Sequence, residues 1–201
     1  MAVWANIHRG NRFTRLTSYA SKARGLHDHV VAGGGPDHPN ARVDFRLGDV
    51  VTTSIVCADG TTMRLTHDTN LPRPYSLGFR VQGQKGLWMD VNRSIYVEGS
   101  SPQPHRWEEA QTWLDRYDHA LWSEFAEQAS GAGHGGMDFF VIHVFIEALK
   151  AGTAMPIDVH DAVAWSAITP LSEQSIANGN ATVDFPDFTE GGWETARAWS
   201  F

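Results

Sequence analysis

The sequence predicts an α+β fold, an open and mainly antiparallel β-sheet with helices packed on one face. Three observations predict it. β-Branched runs with tight turns fill residues 49–99, and helical spacing takes over after Gly99. These 201 residues also contain no strand followed by Gly-x-Gly-x-x-Gly and a helix, so no Rossmann domain is expected within this chain.

The first ten residues, "MAVWANIHRG", read as the last turns of a helix closed by Gly10. A chain that begins on the end of a helix points to an upstream part that is missing. "RFTRLTSYAS" alternates as a strand through Phe13, Leu16 and Tyr19, and "GLHDHVVAGGGPDHPN" reads as a loop with at most one helical turn. "DVVTTSIVCADGTTMRLTHDT" is two strands joined across Asp59-Gly60, with Ile55, Cys57, Met63 and Leu65 on one face. "YSLGFRVQGQKGLWMDV" and "RSIYVEG" continue the meander with three more strands.

After the Pro-rich crossing "SSPQPHRW", "RWEEAQTWLDRY" and "ALWSEFAEQAS" predict short amphipathic helices. "GMDFFVIHVFIEALKAG" predicts a longer one, with Phe140, Val144 or Ile146, and Leu149 on its stripe and a stop at Gly152. "PIDVHDAVAWSAITPLSEQSIANG" predicts another that ends at Gly179 and is kinked or split by Pro170. "ATVDFPDF" gives a final short strand.

A formal charge of −7, from 16 Lys and Arg against 23 Asp and Glu, argues against a nucleic-acid partner, which requires a basic face. No apolar run approaches the ~20 residues of a membrane-spanning helix, and no basic-then-apolar leader opens the chain, so neither a membrane partner nor a targeting signal is read here. Cys57 is alone, so no internal disulfide can form. Ten histidines and eight tryptophans suit polar-ligand clefts and half-buried cores equally.

The glycines of "SGAGHGGMDFF" lie between two helical segments with no Lys-Ser/Thr after them, which excludes both familiar phosphate-binding loops. Two readings stay open. The turn serves only to reverse the chain, with Asp138 favouring the helix dipole, or it carries His134 on a mobile turn toward a cleft. His27 and His29 flank Asp28 as the best zinc pair, but no third ligand joins them, so no metal site is assigned. His67 with Asp68 ends a strand near Tyr75 and reads equally as a turn or a site residue. Tyr117, Asp118 and His119 read equally as an acid/base relay or as a helix N-cap by Asp118, His160 as part of a helix start, and His143 as a packed histidine. Neither a Ser nor a Cys nucleophile is supported, and no catalytic residue is assigned.

Several long stretches carry a specific resemblance: "RGNRF", "SYASKARGLH", "HPNARVDFRLGDVVTTSI", "THDTNLPRPYSLGFRVQGQKGLW", "HRWEEAQTWLDRYDHALW", "GAGHGGMDFF" and "SAITPLSEQSIANG". Together they resemble the C-terminal half of glycoside hydrolase family 109, the NAD-dependent α-N-acetylgalactosaminidases of the glucose-fructose oxidoreductase/inositol dehydrogenase (Gfo/Idh/MocA) superfamily. The resemblance implies that residues 1–201 form a single C-terminal substrate and oligomerisation domain. It implies sugar chemistry by oxidation, elimination, water addition and reduction on NAD held by an N-terminal domain. The family's Tyr-Pro-Thr-His-Gly segment, with its catalytic tyrosine and histidine, would lie just upstream of Met1. This chain alone is therefore expected to retain no NAD and to be inactive.

Tyr75 in "RPYSLGF" matches the family tyrosine placed against the sugar, and His134 and His67 are the accompanying substrate-binding candidates. Terminal α-N-acetylgalactosamine glycosides are the implied substrate, and self-association through the open sheet is the implied assembly. Family members are often exported, with any signal on the missing half. A stand-alone dimerisation or carbohydrate-binding module, or part of a sugar oxidoreductase of the same superfamily, are the alternatives.

Overall fold

The computed structural model describes residues 2–195. Along the chain run β1 (Phe13–Ala20), α1 (Gly25–Gly34), β2 (Val50–Cys57), β3 (Thr62–Asp68), β4 (Arg80–Gln82), β5 (Gly86–Met89), β6 (Ser94–Val97) and β7 (Glu108–Glu109). Then follow α2 (Gln111–Tyr117), α3 (Ala120–Ala129), α4 (Met137–Ala151), α5 (Val159–Ala177) and β8 (Val183–Asp184). The α+β class holds. The strands divide into two antiparallel four-stranded sheets, ordered β3-β2-β1-β8 and β4-β5-β6-β7, where the sequence suggested one continuous meander. The chain forms two compact units, one from the residues up to Pro72 and from Ala148 onward, the other from Arg73–Glu147.

In the first unit, β2 and β3 turn through Asp59-Gly60 as the sequence predicts. Gly60 takes φ 88°, and the Asp59 carboxylate accepts from the Thr61 N–H at 2.8 Å. Ile55, Cys57 and Met63 enter the core with Phe13, Leu16, Val183 and Phe185. In β1 the expected alternation breaks. Phe13 pairs with Cys57 and Arg15 with Val56, so an extra residue bulges between them. That shift turns Phe13, Leu16 and Ser18 inward and leaves Tyr19 53% exposed on the other face.

The segment before Gly10 forms turns and not a helix end; Asn6 and His8 adopt left-handed φ values of 52° and 61°. Residues 25–34, expected as a loop, form α1. Its start is fixed from a distance, because the Asp49 carboxylate accepts from the Arg24 and Gly25 N–H groups at 2.9 Å each. α5 runs unbroken through Pro170. It packs on the inner sheet face through Ala164, Ser172 and Ser175, with Ile168 and Leu171 partly buried against the same core.

A buried polar seam joins α5 to the sheet. The Thr53 hydroxyl lies 2.8 Å from Ser18 Oγ and 3.0 Å from Ser172 Oγ. β8 pairs only with Arg15 and Leu16, and Ser175 Oγ takes over next to it, accepting the Ser18 N–H at 2.9 Å and donating to the Ala181 carbonyl at 2.6 Å. The opposite sheet face is open. Its cross-strand rows are Thr17–Ser54–Arg64 and Tyr19–Thr52–Thr66.

In the second unit, Glu108–Glu109 are strand and not the start of a helix. α3 and α4 meet through aromatic pairs: Trp122 on Phe140 at 4.4 Å, and Phe125 on His143 at 4.4 Å, with His143 also stacked on Phe139. α4 buries Phe140 and Ala148 with Val144 between them, whereas Ile146 and Leu149 of the expected stripe are exposed, beside Val141, Ile142 and Phe145. No helix among the described residues is long and apolar enough to cross a membrane.

Candidate functional site

Tyr75 stands in an irregular loop of the second unit, not in a strand, and is 87% exposed. The loop is braced from within. The Arg73 guanidinium donates from Nη1 to the Pro74 and Ser76 carbonyls at 3.2 Å each, and the Ser76 hydroxyl accepts from the Gly78 N–H at 3.0 Å. A short, self-braced loop holding out a phenol suits a ligand whose ring packs on the aromatic face and whose hydroxyl meets the Tyr OH.

His134 belongs to the same unit and sits on the turn between α3 and α4. Its side chain is 83% exposed, and Nδ1 lies 2.9 and 3.1 Å from the two Asp138 carboxylate oxygens. His134, Gly135 and Gly136 take φ values of 53°, 68° and 99° in succession. No hydrogen bond joins Tyr75 to His134 among the described residues. His67 lies in the first unit, exposed on edge strand β3, paired with Val51 and on the same face as Met63 and Leu65.

Three other histidines make contacts unrelated to Tyr75. His119, not Asp118, N-caps α3, its Nδ1 accepting from the Leu121 N–H at 3.2 Å. His160 Nδ1 donates to the Phe188 carbonyl at 2.9 Å. His27 Nδ1 lies 3.2 Å from the Asp28 carboxylate. Among the described residues no group of three His, Cys, Asp or Glu is placed to hold a metal ion.

The most tightly built polar cluster is one that sequence reasoning missed. Arg9 forks onto Asp161, Nη1 to Oδ1 and Nη2 to Oδ2 at 2.9 Å each, with both residues buried. Arg9 also donates to the Ile7 and Pro156 carbonyls at 3.1 and 2.9 Å. Asp161 accepts from the Asp158 N–H, and Asp158 caps the His160 and Asp161 N–H groups, closing a reciprocal capping box.

His8 Nδ1 lies 3.4 Å from Asp161 Oδ1, misaligned for a hydrogen bond. Desolvation holds the His8 imidazole below its ordinary pKa, against the pull of Asp161 and Asp158. The cluster ties residues 7–9 to the start of α5 and leaves no side of Asp161 open to a ligand, so it is a clamp. No local signal announces it, because Arg9 and Asp161 are 152 residues apart.

Cys57 is buried, and its thiol is pushed up to about 11 by burial first and the Asp59 charge second, which disarms it as a nucleophile.

Comparison with known proteins adds the following. The family described as "Glycosyl hydrolase 109, C-terminal domain" matches residues 1–195. A glycosyl hydrolase family 109 protein of Stenotrophomonas maltophilia is 62% identical over 98% of this chain and 43% of its own length. An α-N-acetylgalactosaminidase of Tannerella forsythia is 57% identical over 94% of this chain and 40% of its own length. The chain thus spans about two fifths of the length of these curated relatives. Levoglucosan dehydrogenase in complex with NADH superposes with a TM-score of 0.59 over 88% of this chain and 45% of that one, at 19% identity, a likeness of fold.

Proposed function

The chain belongs to glycosyl hydrolase family 109, as its C-terminal domain, and from that premise we propose that it is the sugar-facing part of an NAD-dependent α-N-acetylgalactosaminidase. The observation that carries the reading is the 57% identity to a protein named for that activity, over 94% of the chain. The braced, outward Tyr75 supports it, since a phenol held clear of the protein is free to meet a sugar ring. His134 in the same unit, and separately His67 in the first unit, are further proposed sugar-contact candidates. The dehydrogenases that share the fold do so at 19–20% identity, so the more similar glycosidase relatives favour the hydrolase reading over a net oxidoreductase.

The Gly-rich turn of this chain does not have the form of an NAD cradle. The glycines of the Gly131–Gly136 turn follow helix α3, where a dinucleotide cradle follows a strand. The redox chemistry therefore falls to the part of the longer family proteins that this chain does not match. The Arg9–Asp161 clamp fixes residues 7–9 against the start of α5. The open rows Thr17–Ser54–Arg64 and Tyr19–Thr52–Thr66 are the proposed surface for self-association.

The test is release of the aryl group from an aryl α-N-acetylgalactosaminide in the presence of NAD. The chain alone is expected to give none, and mixing it with the separately expressed N-terminal portion of a longer family member is expected to give turnover. Turnover by the chain alone overturns the assignment of the chemistry to the part of the relatives that it does not match. Silence in both, with both partners folded, favours a stand-alone binding or assembly module.

A further inference from the structure

We propose that His8 makes the hold of residues 2–9 on the start of α5 an acid-released latch, which opens when the imidazole becomes a second cation beside Arg9. His8 is buried, and its Nδ1 has no hydrogen-bond partner, lying 3.4 Å from Asp161 Oδ1. That carboxylate is already committed. Arg9 takes both oxygens at 2.9 Å each, and the Asp158 N–H shares Oδ2 at 3.2 Å. One buried anion thus balances one buried cation, and a proton on His8 leaves an excess positive charge out of water. The positive end of the α5 dipole lies at the same place and opposes that charge as well.

The other charges around His8 are spent or solvated. From α5, Asp158 caps the His160 and Asp161 N–H groups, and His160 is exposed with Nδ1 on the Phe188 carbonyl. The segment that meets Gly10 through the Trp193 carbonyl brings Asp187, whose carboxylate accepts from Thr189 and Gly191, and the exposed Glu190 and Glu194. Asp59, whose N–H meets the Asn11 side chain, is exposed too, and Arg12 beside Trp193 adds positive charge. Burial therefore governs the imidazole and holds it below its ordinary pKa.

The segment is also poised to leave. Asn6 and His8 carry side chains in the left-handed region at φ 52° and 61°, a conformation that persists only where the surroundings impose it. Arg9 imposes it through Asp161 and the Ile7 and Pro156 carbonyls, and a second cation at its side works against that grip. Once the segment opens, His8 regains its ordinary value of about 6.5. Each pH unit between the closed and open values then shifts the balance about tenfold toward opening as pH falls.

The experiment is amide hydrogen exchange of the chain followed by NMR across that window, corrected for the intrinsic rate at each pH. The reporters are the Asn6, Ile7, His8 and Arg9 N–H groups, with Leu16 and Ile55 of the paired strands as reference. The expected result is that the four reporters open together, more readily than Leu16 and Ile55, and by about tenfold more per pH unit below about 6.5. His8→Gln should remove that acceleration, and His160→Gln should keep it.

Reporters that ignore acid, that exchange at the rate of Leu16 and Ile55, or that still accelerate in His8→Gln overturn the proposal, as does loss of the acceleration in His160→Gln. If His8→Gln does not fold, the ring titration of His8 in the unaltered chain decides: a value below about 6.5 upholds the latch, and one at or above it overturns it.

Discussion

Asp161→Asn should be among the most damaging single changes in the molecule. Asp161 is 0% exposed and receives both arms of the Arg9 guanidinium at 2.9 Å. The amide keeps one acceptor but turns an NH2 toward one arm of Arg9 and leaves the buried guanidinium without its counter-charge. Two charge-assisted hydrogen bonds at ~1.5–3 kcal/mol each, and the ~3–5 kcal/mol typical of breaking a buried pair, agree on a loss of about 4 kcal/mol. The Ile7 and Pro156 carbonyls that stay with Arg9 keep the loss from being larger.

Equilibrium urea unfolding, followed by circular dichroism and tryptophan fluorescence, should show the midpoint falling by about 2 M if the slope is ~2 kcal/mol per M. Asp158→Ala is the control, because it removes the helix cap and spares the ion pair; it should cost about 1 kcal/mol. The double variant Arg9→Met/Asp161→Leu removes both charges and should be more stable than either single change. If Asp161→Asn costs no more than Asp158→Ala, Asp161 is only part of a cap and the clamp is refuted.

Four further outcomes follow from the geometry. His8 is held below its ordinary value in the folded chain, so between that lowered value and about 6.5 the unfolded chain binds the proton and the folded one does not. Stability should therefore fall as pH drops through this window, and His8→Gln should flatten that segment of a urea-midpoint profile; an unchanged profile contradicts the assignment. Ser175→Ala leaves the buried Ser18 N–H and Ala181 carbonyl without their partner and should cost about 2 kcal/mol or more in the same assay. The Cys57 thiol, pushed up to about 11, should resist a disulfide reagent at pH 8 in the folded chain and react at once in urea. Tyr75→Ala should leave stability within about 0.5 kcal/mol, since the side chain packs on little, while removing turnover in the mixture with the N-terminal portion.

Where chemistry is local, the sequence was readable. Asp59-Gly60 dictates a hairpin because the turn satisfies itself, and α5 was bounded by Asp158 and Gly179 because caps are neighbours in sequence. Where partners are distant it was not. α1 looked like a loop because the acceptor for its first N–H groups is Asp49, and residues 2–9 looked like a helix end because Arg9 answers to Asp161. Hydrophobic periodicity misled at α4, whose exposed side is as apolar as its buried one, and said little at α5, whose most buried residues are Asp, Ala and Ser. A single bulge inverted the expected face of Tyr19.

The candidate site was legible to a different degree. Tyr75 was chosen by resemblance and not by spacing, and its loop contains nothing a pattern of strands or helices would flag. The Gly-rich turn was seen, as was the choice between reversal and function at His134. The pairing with Asp138 was not, because a carboxylate in the first turn of a helix has an ordinary reading as a dipole partner.

The central claim is that these residues complete a glycosidase when joined to the rest of a family member. The most direct measurement fuses this chain behind the N-terminal portion of a longer relative and assays an aryl α-N-acetylgalactosaminide. Cleavage without net consumption of NAD, abolished by Tyr75→Ala in a fusion that still binds NAD, is the predicted result. A folded, NAD-loaded fusion that leaves the glycoside intact would contradict it.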